Sequence, residues 1–174
     1  MKMKNIFSIF IVLCFLWSCS KDIEKKSIVS EKSLDAQVLE AYEQGVKSLE
    51  EGDVLFAAQK FNEAEILYPQ SDSAPKSALM AAYSYYTQDY YGDAIAELIR
   101  FLRVYPKHKD LDYAYYLLAI SHYEQIVDEK KDLQSILNAK KYFEAVIKNY
   151  SNSEYAIDSN FKLDYVNDIL ASKE

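Results

Sequence analysis

The chain has few residues that interrupt helices and few that build metal or redox sites. Three prolines and three glycines in 174 residues, with no stretch that sustains the two-residue alternation of a half-buried strand, give no reason to expect strands. The two cysteines, Cys14 and Cys19, both stand close to the amino terminus. The body of the chain is thereby without a disulfide framework, a thiolate nucleophile or a cysteine-based metal site. The two histidines are equally isolated: His108 lies in a turn among lysines and His122 stands alone in a helix, and with no second ligand at metal-binding spacing both read as polar residues of the surface or groove. A glycine-rich phosphate loop and a nucleophile motif are missing too. The expectation is a protein that is not an enzyme and needs no cofactor and no metal. Lysine and arginine number 20 against 27 acids, without a basic stripe, which argues against nucleic-acid binding.

The one long apolar run is at the start. Lys2 and Lys4 precede a segment from Ile6 to Leu16 that is apolar except for Ser8 and ends Leu16-Trp17-Ser18-Cys19, the order of an export signal. The segment is well short of the ~20 residues of a spanning helix. Leu-x-Ser-Cys resembles a bacterial lipobox, which makes 1–18 a signal peptide and Cys19 the lipidated first residue of the mature chain. Ser20, where an aspartate would retain a lipoprotein at the inner membrane, points to the outer membrane, lipid-anchored and facing the periplasm. Loss of Lys2 and Lys4 leaves 18 basic against 27 acidic residues, a mature charge of about −9. Residues 19–32 are polar and charged and read as a flexible tether. Residues 33–174 form the folded domain, which stability must hold by packing alone.

That domain repeats itself. Ala57, Phe61, Ala64, Tyr68 and Pro69 recur 37 positions later as Ala94, Leu98, Phe101, Tyr105 and Pro106. A third copy, Ala139, Phe143, Val146 and Tyr150, follows after 45, with Ser151 in place of the proline. Gly45, Ala82 and Ala119 repeat in the same way in the helices between. The extra eight residues fall around Val127 to Ser135, a charged stretch on one rim of the stack. Small residues that let backbones approach, opposed by large apolar ones, make the tetratricopeptide pattern. The fold class expected is an all-α tetratricopeptide-like solenoid of about three repeats plus an unpaired final helix.

Seven helices are bracketed by their caps: Ser33 to about Glu51, Asp53 to Tyr68, Ser73 to about Gln88, Tyr91-Gly92-Asp93 to Tyr105, Asp110 or Asp112 to about Ile126, Asp132 or Ser135 onward, and Asn152 or Ser153 to the end. The sequence ends inside what the register makes the first helix of a fourth unit. Phe161, Val166, Ile169 and Leu170 are therefore expected to lack a covering helix, and either the chain continues or the last helix is a cap with an exposed apolar face.

The inner helices of such a stack line a groove. Its positions fall at Leu39, Tyr42, Val46 and Leu49, then Lys76, Leu79, Tyr83 and Tyr86, then Tyr113, Tyr116, Ile120 and Tyr123. Tyrosine offers a large apolar face with a polar edge and loses little entropy on binding, so the row suits a peptide with aromatic side chains and few charges. The other reading is that individual tyrosines pack against the neighbouring repeat.

The strings SALMAAYSYY from Ser77, DAIAELIRFLRVYP from Asp93, DYAYYLLAISHYEQI from Asp112 and YFEAVIKNYSNSEYA from Tyr142, following a lipobox and a short tether, resemble the BamD family of lipoproteins in its amino-terminal part. That resemblance implies a non-enzymatic component of the outer-membrane β-barrel assembly machinery, a palmitate-bearing lipoprotein of the BAM complex that helps insert proteins into the membrane. It further implies docking on the periplasmic domains of BamA, association with accessory Bam lipoproteins, and receipt of unfolded outer-membrane proteins through their aromatic carboxy-terminal signal. On this basis Tyr42, Leu79, Tyr83, Tyr86, Tyr116 and Tyr123 are the candidate peptide-binding residues, with Lys76 as partner for the peptide carboxylate. Two alternatives are a general tetratricopeptide lipoprotein that scaffolds cell-wall or division proteins, and the helical adaptor of a cell-wall enzyme.

Overall fold

A computed structural model describes residues 32–126 and 133–172. The signal peptide, Cys19, the tether and the charged part of the rim insertion lie outside these residues. Among the described residues there are seven helices and no strand: α1 Leu34–Glu50, α2 Val54–Leu67, α3 Ala74–Tyr86, α4 Tyr91–Val104, α5 Leu111–Glu124, α6 Leu133–Asn149 and α7 Glu154–Ala171. Each packs against its neighbours in sequence, and the inner helices α3, α5 and α7 also touch in turn.

Three predicted caps take their N–H groups as expected: Ser33 accepts from Ala36, Asp53 from Phe56 and Ser153 from Tyr155. The cap of α3 differs. Ser73 already has helical dihedrals and makes no side-chain cap bond, so the hydroxyl of Ser71 accepts the Ala74 N–H instead, at 3.1 Å. Pro75 sits in this first turn, where no N–H is required. Asp110 occupies the cap position of α5 without a side-chain bond, and Ser135 is inside α6 rather than at its start. The turns α1–α2 and α3–α4 share a left-handed residue 37 positions apart, Gly52 (φ 83°) and Asp89 (φ 64°). Glycine adopts this region freely and aspartate tolerates it through local hydrogen bonding; the Asp89 carboxylate accepts from the Tyr91 hydroxyl at 2.6 Å. Gln88 donates to the Gly52 carbonyl at 2.9 Å and so joins the two turns.

The repeated large residues fill the stack. Phe61, Leu98, Phe101, Phe143 and Val146 are fully buried, each stabilising by about 1.5–3 kcal/mol through the apolar area it removes from water. Gly45 makes room for the Phe61 ring of α2: a Cβ there would come within 2.8 Å of it. The final helix departs from expectation. Val166 is fully buried and Ile169 is 4 % exposed, both in the core with α5 and α6 residues, and Leu170 packs at its edge. Of the four residues expected to be uncovered, only Phe161, at 72 %, is largely exposed, because α6 and α5 together cover one whole face of α7.

Two polar features of the interior were not expected from the sequence. Glu65, 5 % exposed, accepts from Arg100 Nη1 and Nη2 at 2.8 and 2.6 Å and from the Tyr105 hydroxyl at 2.6 Å. Arg100 Nε also donates to Glu97 at 2.8 Å, so this network ties α2 to α4. His122, 8 % exposed, is stacked on Tyr142 with ring centroids 5.7 Å apart; it belongs to the interior and not to the surface or groove.

Candidate peptide groove

The candidate residues come from α1, α3 and α5, and their spacing of three or four brings successive members to one helix face. Tyr42 on α1 is half-buried, its ring set edge-on to Phe61 at 5.2 Å. The Lys76 ammonium of α3 lies 5.1 Å from the Tyr42 ring centroid, a distance at which the ring's negative face attracts a cation. Together with Val38, Leu39 and Tyr68 these two side chains line a mainly apolar cleft of about 320 Å³.

Lys76 also borders a second cleft of about 340 Å³. Leu79, Tyr113 and Tyr155 supply apolar surface there, and Asp112 and Glu154 supply charge. Leu79 is 6 % exposed and belongs to the core under the groove as much as to its surface. The structure thus brings Tyr42 together with Lys76 in one cleft and Lys76 with Leu79 in the next.

Tyr83, Tyr86, Tyr116 and Tyr123 lie outside both clefts and are half-buried against the core. The Tyr86 ring meets Tyr91 at 5.8 Å. Burial, then the Glu124 and Asp89 carboxylates, raise its phenol above the ordinary value. Tyr116 donates to Asp158 Oδ2 at 2.7 Å and stacks on Tyr155 with centroids 5.0 Å apart. Burial and then that hydrogen bond to a carboxylate push its phenol well up. Tyr113 is raised chiefly by burial. Tyr123 touches Phe143 and Tyr165, each at 6.1 Å, under the Lys162 ammonium at 5.1 Å. Burial again leads the upward shift of its phenol.

Apart from Phe143 of α6, the contacts that hold Tyr116 and Tyr123 come from α7: Tyr155, Asp158, Lys162 and Tyr165. The groove positions read from the sequence stop at Tyr123, although carrying the 45-residue step forward from α5 reaches Asp158 and Tyr165. Among the described residues no group of three or more His, Cys, Asp or Glu is placed to hold a metal ion, and no helix is long and apolar enough to cross a membrane.

Residues 34–174 match the family model of YfiO, described as outer membrane lipoprotein. The chain belongs to the YfiO family. Among the members it is similar to, the protein of Caulobacter vibrioides named outer membrane protein assembly factor BamD is 36 % identical over 156 residues, covering 90 % of this chain and 50 % of that one. A protein of the same name from Rickettsia prowazekii is 34 % identical over 175 residues, covering 100 % of this chain and 67 % of that one. This YfiO chain therefore spans half to two thirds of the length of these relatives. In fold it resembles the solved structure titled "First TPR of Spaghetti (RPAP3) bound to HSP90 peptide SRMEEVD", with a TM-score of 0.58 at 18 % identity, covering 78 % of this chain and 94 % of that one. The seven helices are thus a tetratricopeptide-like solenoid.

Proposed function

We propose that this YfiO-family chain is a non-enzymatic, lipid-anchored component of the outer-membrane β-barrel assembly machinery that receives unfolded outer-membrane proteins in its inner-helix groove. The supporting observation is the row Tyr42, Lys76, Leu79, Tyr83, Tyr86, Tyr116 and Tyr123 on three consecutive inner helices of a chain whose relatives are named assembly factors. Two clefts meet at Lys76, the first mainly apolar and the second lined by both apolar and acidic side chains. Such a surface suits a segment rich in aromatic residues, with the Lys76 ammonium near the segment's carboxylate. That the structurally similar tetratricopeptide module holds a peptide agrees with this use of the architecture.

Anchoring is through acylated Cys19, which places the domain in the periplasm at the outer membrane. The partners are the periplasmic domains of BamA and the accessory Bam lipoproteins. Isothermal titration of the chain with a peptide ending in the last strand of a barrel protein tests the reading. Binding is expected, and Tyr83→Ala combined with Tyr116→Ala is expected to weaken it at least tenfold. Equal affinity for a scrambled peptide of the same composition refutes recognition of the signal. Labelling of the wild-type chain by palmitate in cells, lost in Cys19→Ala, tests the anchor.

A further inference from the structure

Four rows of groove positions run across the inner helices, and each continues onto α7 by the same 45-residue step that relates the third repeat to the second. Tyr113 leads to Asp158, Tyr116 to Phe161, Ile120 to Tyr165 and Tyr123 to Asp168. The core confirms the register: Ala74, Ser77, Ala81 and Ser84 on α3 correspond to Ala156, Ser159, Leu163 and Val166 on α7, and all eight are buried or half-buried. The face that holds Ala41, Gly45 and Ser48 against α2 corresponds on α7 to Asn160, Asp164 and Asn167. Three large apolar residues of α7 stay exposed: Ile157, at 67 %, falls on the row of Val38, which packs with Ala41 and Ala64, whereas Phe161 at 72 % and Tyr165 at 48 % fall in the groove rows.

We infer that the groove extends onto α7, where Phe161 and Tyr165, with Asp168 beside them, take an aromatic residue and a neighbouring lysine or arginine of the bound polypeptide. This rests on the peptide-binding reading above and adds a subsite and a charge preference to it. Two aromatic side chains offer stacking surface; Asp158 is engaged by the Tyr116 hydroxyl at 2.7 Å and by the Lys162 ammonium at 3.8 Å, so the exposed carboxylate of Asp168, three residues after Tyr165, is the group that complements a cation. Lys76, the cation of the first two clefts, lies on α3. From α1 to α7 are three helix-to-helix steps of about 8–10 Å, roughly 27 Å in all, which an extended segment of about eight residues spans.

Fluorescence anisotropy on the full chain with two labelled probes tests this. One probe is a five-residue aromatic peptide; the other is a twelve-residue peptide with the same carboxy-terminal residues and a Phe-Lys pair in its amino-terminal half. Phe161→Ser and Tyr165→Ser are each expected to weaken the long probe about tenfold and leave the short one unchanged, whereas Tyr42→Ala weakens both. Replacing the lysine of the long probe by glutamate is expected to weaken it comparably. Thermal unfolding of the two variants is the folding control, since both side chains are exposed. If Tyr42→Ala weakens both probes while Phe161→Ser and Tyr165→Ser change neither, the α7 subsite is wrong and the groove stands. If Tyr42→Ala also has no effect, the groove reading itself fails. Self-association in sedimentation velocity that Phe161→Ser abolishes, with binding of the long probe unchanged, would assign the stripe to a second copy and overturn the subsite.

Discussion

Arg100→Met removes the guanidinium that holds Glu65 while keeping most of the side chain's volume. Glu65 is 5 % exposed, and its carboxylate would keep only the Tyr105 hydroxyl, at 2.6 Å, of the three hydrogen bonds it accepts. Stranding one partner of a fully buried pair costs about 3–5 kcal/mol. Here the Arg100 side chain is 31 % exposed, so water reaches one side of the gap and the expected cost falls to about 2–3 kcal/mol. Glu65→Leu strands the arginine less severely, because Glu97 at 2.8 Å remains; about 1–2 kcal/mol is expected. The double variant Glu65→Leu/Arg100→Met leaves neither charge buried and should be less unstable than Arg100→Met alone. Urea unfolding followed by circular dichroism measures all four corners of this cycle. A domain of this size should show Arg100→Met as a fall in Tm of roughly 5–12 °C. A double variant destabilised by the sum of the single losses would refute the argument, since the two residues would then act independently.

Four other outcomes follow from the packing and the titration. Gly45→Ala drives a Cβ to 2.8 Å from the buried Phe61 ring and should cost about 1–3 kcal/mol as overpacking does, in spite of alanine's better helix propensity; chemical denaturation measures it, and a more stable variant contradicts the close approach. Ser159 is fully buried with its hydroxyl unpaired, so Ser159→Ala should raise stability by about 1 kcal/mol. Ser121→Ala should lower it by about the same amount, because that hydroxyl bonds the Leu117 carbonyl at 2.7 Å; equal signs for the two changes would contradict this. Tyr105, Tyr113 and Tyr116 have phenols raised above the ordinary value of 10 in the folded state. Their stabilising contribution is complete below pH 10 and is lost as the pH climbs through the raised folded values, because the unfolded chain ionises first. Ultraviolet titration at constant temperature should thus show tyrosinate forming later in the folded chain than in the chain unfolded in urea, and stability falling above pH 10; coincident titration curves would refute it.

The repeat carried most of the fold into view. A 37-residue recurrence of small and large residues fixes which helices are inner and which outer, and local caps such as Ser33, Asp53 and Ser153 fix where they begin. Ser71 in place of Ser73 was not legible, because a cap depends on the dihedrals of the turn before the helix and not on residue type alone. Glu65 recurs 37 positions later as the uncharged Leu102, so its pair with Arg100 belongs to one repeat interface only. Its one sequence sign is a charged residue four positions after Phe61, on the stripe that also buries Ala64. For the groove, spacing located Tyr42 and Lys76 on adjoining helices, yet it left open how far a neighbouring helix would cover each tyrosine. That coverage depends on side chains of the next repeat, as Asp158 and Tyr155 do for Tyr116, and these are more than 35 residues away in sequence.

The central claim is that unfolded outer-membrane proteins contact the inner-helix groove. A photo-crosslinking amino acid placed in cells at Tyr83, half-buried on inner helix α3, and separately at Ile99, 46 % exposed on outer helix α4, tests it directly. Crosslinks to barrel proteins during their assembly are predicted from position 83 and not from position 99. Crosslinks from position 99 alone, or equally from both, would contradict the account.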